Sequence, residues 1–301
     1  MDMMNRIKQL KEEKNAVILA HYYVNADAQE AADFIGDSFY LAKKAAETDA
    51  DKIVFAGVEF MGESAKILNP NKHVYMPDAH ADCPMAHMVT IENIKKMREK
   101  YDDLAVVCYI NSTAEIKTYS DVCVTSSNAV KIVNKLPNKN IFFIPDQNLG
   151  SYVATQVKDK NIILNSGFCP RHHIMTKEDV LNAKKEHPNA LVAVHPECKP
   201  EVLGEADYIG STSGIIDYIV GNDAKEFIVG TVDGVYATIL KQAPDKKLYN
   251  VVRTQVCPNM KLNSLEKIIH VLETGENEVF LDEEFMNKAK APLERMLELA
   301  K

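Results

Sequence analysis

One dipeptide recurs three times in the chain, as Cys83-Pro84, Cys169-Pro170 and Cys257-Pro258, at intervals of 86 and 88 residues. The other cysteines, Cys108, Cys123 and Cys198, are not followed by proline. Near-equal intervals of that length predict a repeated structural unit with one cysteine in the same loop of each copy. Two further series keep the same register. Short apolar runs with the character of buried parallel strands end at His21 (AVILAHYY), Tyr109 (LAVVCYINS) and His195 (ALVAVHPE), 88 and 86 residues apart. Small hydroxyl residues follow these marks at offsets of 17, 17 and 16: Ser38 in GDS, Ser126 in TSSN and Ser211 in GSTSG. Three series in one register predict three copies of one unit. A pseudo-threefold arrangement would bring a polar strand end, a hydroxyl loop and a thiol from each copy to one central site.

At 301 residues the chain is long enough for two or three cores, and triplication makes three small ones. Its 46% hydrophobic and 26% charged residues are those of an ordinary soluble globular protein. A net charge of -8 argues against a general affinity for nucleic acid or anionic membrane and points to a small-molecule partner. No stretch approaches the ~20 consecutive apolar residues of a membrane span, and the opening MDMMNRIKQLKEEKN is a charged helical pattern unlike a signal peptide. The expected location is the cytoplasm. In a reducing compartment, scattered cysteines brought together bind metal or do chemistry more often than they form disulfides.

Taken in order, the first unit reads as a helix over 2–15, the strand AVILAH, a helical stretch over roughly 28–48, the strand DKIVFAG, a helix in GESAKILNP ended by Asn69-Pro70, and the strand HVYMPD. The second opens with a helix near 90–101 and carries strands in LAVVCYI, DVCVTS, NIFFIPD and NIILNS. The third has a helix near 176–186 and strands in ALVAVH, ADYIGS, EFIVGT and LYNVV. A helix over 263–273, a strand in EVFL and a helix over 283–300 follow. Apolar strands alternating with helices predict an α/β fold: three pseudo-threefold-related αβα three-layer domains with parallel sheets around a central site. The expected boundaries are 1–84 completed by 259–301, 85–170, and 171–258. Ligands should then sit beyond the carboxyl ends of the strands, where all three marked series lie.

Cys108 and Cys123 lie in apolar runs and read as small core residues; Cys198, beside Glu197 and a proline, is ambiguous. Three converging thiolates at Cys83, Cys169 and Cys257 could hold zinc or an iron–sulfur cluster. Structural zinc takes a fourth protein ligand, and no fourth residue follows the register. A cubane with three cysteines leaves one iron open, which can act as a Lewis acid. The compact Cys-x3-Cys-x2-Cys run associated with radical chemistry is absent. His21 and His195 share one place in two repeats, with Tyr109 in the third. Tyr23 and Glu197 follow the two histidines at the second position, on the same side of an extended chain, and are candidate acid–base groups. Ser38, Ser126, Ser211 and Thr212 are candidate helix caps or anion ligands, Ser126 and Thr212 being placed at helix openings. Arg171, His172 and His173, just after the second Cys-Pro, read as exposed loop residues.

With these residues in hand the chain resembles the quinolinate synthase family, iron–sulfur enzymes of NAD biosynthesis, along essentially its full length. The resemblance is carried, in the family's order, by AHYY, ADFIGDS, GVEFMGESAKILNP, DCPM, YINSTAE, TSSNA, PDQNLG, GFCP, HPEC, GST and VCPNMKLNSL. It implies three similar αβα domains around a cavity holding a [4Fe-4S] cluster, with Cys83, Cys169 and Cys257 as ligands and one iron open. It further implies that His21, Tyr23, Ser38, Tyr109, Asn111, Ser126, His195, Glu197 and Thr212 line the substrate site, next to Ser211. Departures are few: Val24 stands where many members have a polar residue, Gly62 replaces a common Ala, and Val232-Asp233 stands for Thr-Glu, which puts any role of Asp233 in doubt.

The implied reaction condenses iminoaspartate with dihydroxyacetone phosphate, releasing phosphate and water and closing a pyridine ring to give quinolinate. Ser38, Asn111, Ser126 and Thr212 are then expected to hold carboxylate and phosphate groups. Glu197, Tyr23, Tyr109, His21 and His195 are expected to handle protons. A transient contact with the enzyme that supplies iminoaspartate is a further expectation. The competing class is a non-enzymatic iron–sulfur redox or iron-sensing protein, which has no need of His21, Tyr109, His195 and Glu197 in one register.

Overall fold

The computed structural model describes residues 2–301. Its first third runs α1 (Met3–Lys14), β1 (Ala16–His21), α2 (Ala26–Ala31), β2 (Phe34–Gly36), α3 (Ser38–Glu47), β3 (Lys52–Ala56), α4 (Glu59–Leu68), β4 (His73–Tyr75). The next runs α5 (Ile91–Lys100), β5 (Leu104–Tyr109), α6 (Ala114–Lys117), β6 (Val122–Val124), α7 (Ala129–Lys135), β7 (Asn140–Ile144), α8 (Gln147–Gln156), β8 (Asn161–Leu164). A short α9 (Pro170–His173) leads into α10 (Lys177–Glu186), β9 (Leu191–Val194), α11 (Pro200–Leu203), β10 (Tyr208–Ile209), α12 (Thr212–Gly221), β11 (Glu226–Gly230), α13 (Val235–Gln242), β12 (Lys247–Asn250). The chain ends in α14 (Leu265–Thr274) and α15 (Glu283–Leu299).

The strands form three four-stranded sheets with the orders β2-β1-β3-β4, β6-β5-β7-β8 and β10-β9-β11-β12. In each, the first strand in sequence is internal and the second is an edge, and the recorded pairings between strands are parallel. This is the α/β architecture of three similar units that the repeat predicts. The central strands are buried on both faces, Ile18, Leu19 and Ala20 in β1, Val106 to Cys108 in β5 and Val192 to Val194 in β9 being fully covered, which is why they read as unbroken apolar runs. In such an order the chain reverses direction across the sheet between the first and third strands, and the crevice at their carboxyl ends is where ligands bind.

The chain divides into two compact units. One comprises the residues up to His87, Ile110–Cys123 and Pro258–Lys301. In it α1 packs on α14, and α15 packs on α4 and α6. Arg6 pairs with Glu273 at 2.6 Å, and the Val279 amide donates to Val74 O at 2.8 Å beside β4. The other comprises Met88–Tyr109 and Val124–Cys257.

Two side-chain devices recur with the repeat. Asp33 accepts from the Ile18 amide and its own amide donates back to Ile18 O (2.8 and 2.9 Å); Asp207 does the same with Val192 (2.8 and 2.9 Å), so each aspartate starts an edge strand against its central strand. Lys72, Lys160 and Lys246 stand 88 and 86 residues apart just before or at the start of the last strand of each sheet. Each turns its ammonium onto carbonyls just past the helix that leads into the third strand of its sheet (α3, α7 and α12): Lys72 on Thr48, Lys160 on Leu136 and Asn138 (2.7 and 2.9 Å), Lys246 on Asn222 and Ala224. A cation suits the carbonyl-rich end of a helix.

Two expectations are corrected. The stretch over 28–48 is not one helix. Asp33 draws the chain onto Ile18, Phe34 to Gly36 pair with Leu19 to His21, and Asp37 then caps α3 by accepting from the Tyr40 amide at 2.9 Å. EVFL is not a strand: Glu278 makes a single antiparallel bridge to Tyr75, and Phe280 is 79% exposed. No helix among the described residues is long and apolar enough to cross a membrane.

Candidate active site

The marked residues fall where the topology calls for them. His21 and Tyr109 are the last residues of β1 and β5, and His195 follows β9 directly, its amide bound to Gly230 O at 3.0 Å. Ser38, Ser126, Ser211 and Thr212 follow the edge strands β2, β6 and β10, while Cys83, Cys169 and Cys257 follow the fourth strands β4, β8 and β12. The two histidines are held alike. The Tyr23 amide donates to His21 Nδ1 at 3.2 Å, and the Glu197 amide donates to His195 Nδ1 at 3.3 Å. An acceptor at Nδ1 leaves the proton of a neutral imidazole on Nε2. In the second unit that nitrogen donates to Ser126 Oγ at 3.2 Å.

Glu197 lies at the centre of a buried network in that unit. Its Oε2 is 2.6 Å from His172 Nδ1 and 3.7 Å from His195 Nδ1, and Tyr109 also hydrogen-bonds to the carboxylate. The two imidazoles stack with centroids 4.8 Å apart. His172 Nε2 meets Thr231 Oγ1 at 2.9 Å. Gln255 then fixes the neighbouring loop by donating to Val229 O and Thr231 O (2.8 and 2.7 Å) and accepting from the Val251 and Val252 amides. Glu197 is 3% exposed. Burial alone would raise its pKa, but the charges of His172 and His195 and the hydrogen bonds of His172 and Tyr109 win and lower it to about 2. Asp146, also fully buried, goes the other way: burial and the nearby Glu197 charge push it well above the usual carboxylate range, against the donors Leu149, Cys169 and Asn148. Of two carboxyls in one low-dielectric pocket, the one between imidazoles keeps the negative charge.

Cys169 is tied to this network. Its amide donates to Asp146 Oδ2 at 3.0 Å, and its Sγ lies 3.2 Å from His172 Nδ1. Cys169, His172 and Glu197 offer one sulfur, one nitrogen and one oxygen within 4.8 Å of one another, a group that could hold a metal ion. The six cysteines divide into two sets by burial, Cys108 and Cys123 falling in the core as expected and Cys198, left ambiguous by its sequence context, falling there with them. Cys83, Cys169 and Cys257 are half-buried, whereas Cys108, Cys123 and Cys198 are fully covered. Burial and the Glu197 charge push the Cys198 thiol up, and its Sγ sits on Gly230 O at 3.4 Å, which makes it a core residue.

In the first unit the His21 ring meets Tyr23 edge-on with centroids 4.6 Å apart. Asp82 Oδ1 accepts from the Cys83 amide at 2.6 Å and its other oxygen lies 2.7 Å from His87 Nε2, while Asn259 donates to the Asp82 carbonyl, so the Cys83 loop is braced from both sides. Asn111 is the centre of a tight turn in which the Ser112 amide donates to Ile110 O at 2.8 Å. Its Oδ1 is buried and has no hydrogen-bond partner among the described residues. Such an atom costs about 1–3 kcal/mol unless a ligand satisfies it.

Three placements differ from the expectations. His172 is not an exposed loop residue but 1% exposed, because Pro170 starts the one-turn α9 and puts His172 one turn beyond Cys169 on its inner side. Ser126 does not open a helix: Asn128 holds the position before α7, and its Oδ1 accepts from the Thr125 amide at 2.7 Å. Thr212 does open α12, as expected, and Ser211 caps it by accepting from the Gly214 amide at 3.2 Å. Ser38, by contrast, is not a cap: it is the first residue of α3, and Asp37 caps the helix.

A parallel α/β scaffold thus holds a buried carboxylate between imidazoles beside a half-buried cysteine, a group of the kind that can hold a metal ion. The family described as NadA: Quinolinate synthetase A protein matches residues 5–298. A protein of Fusobacterium nucleatum named quinolinate synthase is 59% identical over 298 residues, covering 99% of both chains. Proteins of that name from Caldicellulosiruptor saccharolyticus (52% identical, 98% of this chain and 97% of the relative) and Sulfurihydrogenibium sp. (48%, 99% of both) are similar over as much of their length. The chain belongs to the quinolinate synthase family.

Proposed function

We propose that this protein is a quinolinate synthase, condensing iminoaspartate with dihydroxyacetone phosphate to quinolinate, phosphate and water in the cytoplasm. The observation that carries this reading, beside family membership, is the buried network of Glu197, His172, His195 and Tyr109 next to Cys169. Ring closure needs protons taken from carbon and hydroxyls released as water. Glu197, ionised and oriented, is the base. His172 donates to it from Nδ1, and Tyr109 supplies a hydroxyl donor. In the other half of the set His21 presents Nε2–H and Tyr23 lies against it. Both substrates are anionic, and Ser38, Asn111, Ser126, Ser211 and Thr212 are assigned to their carboxylate and phosphate groups. The three-domain division at 84/85, 170/171 and 258/259 belongs to the same reading, as does a transient contact with the enzyme that supplies iminoaspartate.

Cys83, Cys169 and Cys257 are assigned as the ligands of a [4Fe-4S] cluster. The donor set fits: three soft sulfur donors, each in a half-buried loop after the fourth strand of its sheet, set apart from three sealed in the core. With three ligands the cluster supplies one open iron as a Lewis acid for substrate oxygens. Iron and sulfide counts on anaerobically purified protein, with its absorption spectrum, test the assignment, and incubation with both substrates tests the activity. Colourless protein with one zinc would remove the cluster, and an intact cluster without product would favour an iron sensor.

A further inference from the structure

The half-buried Glu63 and the sealed Lys117 take no part in the chemistry described above, yet both residues grip the turn that carries Asn111. Glu63 projects from the middle of α4, and its Oε2 accepts from the Ala114 amide at 2.8 Å. Lys117 ends α6 and is 0% exposed; its ammonium donates back to the Ser112 carbonyl and lies 5.6 Å over the ring of Phe60, one turn before Glu63 on α4. A lysine is almost never sealed in this way unless it is paired. Burial pushes the Glu63 carboxyl up, against the pull of Lys117 and the Ala114 amide, so the two groups sense each other. Between the two attachment points stand Ser112 and Thr113, and just before them is Asn111 with its buried, partnerless Oδ1. α6 is four residues long, and apart from the Thr113 cap it has little of its own to hold it.

We propose that Glu63 and Lys117 are positioning residues for Asn111: Glu63 ties the Ala114 amide to α4, and Lys117, from the end of α6, ties back the Ser112 carbonyl over the Phe60 ring of α4, so that the turn between β5 and α6 holds Asn111 ready for a substrate's polar group. The proposal rests on the reading of Asn111 as a substrate ligand. A clamp made of charged side chains on backbone atoms fixes a turn regardless of the turn's own sequence, and the Lys117 half, sealed from solvent, does not exchange its partner with water. Binding groups must be held this firmly, since small misplacement costs large factors in rate.

A double-mutant cycle on the cluster-loaded protein tests it, with KM for each substrate, kcat and iron content measured for Asn111→Ala, Lys117→Met and the double variant. We expect each single change to raise KM for the same one of the two substrates at least tenfold with iron content unchanged. In the Asn111→Ala background, Lys117→Met should then change KM less than twofold. Glu63→Leu should act like Lys117→Met, and Glu63→Gln, which keeps an acceptor for the Ala114 amide, should restore most of the loss. Should Lys117→Met fail to fold, Glu63→Leu carries the same cycle. Equal factors with and without Asn111 would reduce the pair to a structural role and overturn the proposal. An unaltered Asn111→Ala enzyme would instead remove the substrate role of Asn111, and the proposal with it.

Discussion

Glu197→Gln is the change that separates proton transfer from everything else this site does. The amide keeps the size of the carboxylate and can still accept from His172 Nδ1, now 2.6 Å away, but it cannot take up or release a proton. General acid–base catalysis contributes about 10²–10⁴ in rate, roughly 3–5 kcal/mol of barrier, so quinolinate formation should fall by that factor while iron content and substrate binding persist. Stability should move as well. The Glu197 pKa is lowered from 4.5 to about 2, a differential of roughly 3 kcal/mol at neutral pH. Because the folded pKa is depressed, that stabilisation is present above pH 4.5 and is lost as the pH falls toward 2. Asp146 opposes it: its folded pKa is raised, so it contributes stability only at low pH and subtracts at neutral pH, partly because of Glu197's charge. Removing that charge relieves Asp146, and a net loss of roughly 1–2 kcal/mol is expected for Glu197→Gln at pH 7. The difference from wild type should shrink as the pH falls below 4.5. The assay is quinolinate production under anaerobic conditions with iron counted in the same sample, beside thermal melts at several pH values. Turnover within a factor of three of wild type, with the cluster intact, would refute the role of Glu197 and move proton transfer to a tyrosine or histidine.

Replacing Cys83, Cys169 or Cys257 with Ser should each abolish the cluster and activity, since a hydroxyl is a poor ligand for cluster iron. Cys108→Ser or Cys123→Ser should cost only about 1–3 kcal/mol of stability by burying a hydroxyl, and iron and sulfide analysis distinguishes the two sets. His172→Phe takes from Glu197 its closest donor and from Thr231 a partner; activity should fall at least tenfold with protein still folded by circular dichroism. Lys246→Met strips two carbonyls at the end of α12 of a buried ammonium and should lower stability by roughly 2–4 kcal/mol, read as a lower denaturant midpoint, with a smaller loss for the more exposed Lys72 and Lys160.

The strand ends and the Cys-Pro loops were legible because the repeat puts equivalent residues at one interval, and a buried parallel strand is an unbroken apolar run. The register held more than the apolar pattern could show. ADFIG in the first unit matches ADYIG in the third, and its aspartate binds the central strand in the same way, so comparison of the copies reveals β2 where local helical composition hides it. The lysines at 72, 160 and 246 carry the same message. EVFL fails as a strand for a different reason: only Glu278 bridges to Tyr75, with backbone bonds from Val279 to Val74 and from Met76 to Asn277 on either side, and the chain then leaves β4 with Phe280 in solvent. His172 escaped because the position three residues after each Cys-Pro cysteine holds Ala86, His172 and Met260, so the repeat gives it no counterpart. Its role comes from tertiary contact with Glu197, 25 residues away in sequence, and no local pattern encodes that. The same is true of Glu63 and Lys117, whose spacing reads as ordinary helix surface until the Asn111 turn is folded onto α4.

The most direct test of the central claim is the product itself. Anaerobically purified protein with a counted cluster, given iminoaspartate and dihydroxyacetone phosphate, should release one phosphate for each quinolinate, identified as a pyridine dicarboxylate by mass and absorbance. Phosphate release without quinolinate, or neither product from protein whose cluster is intact, would contradict the account.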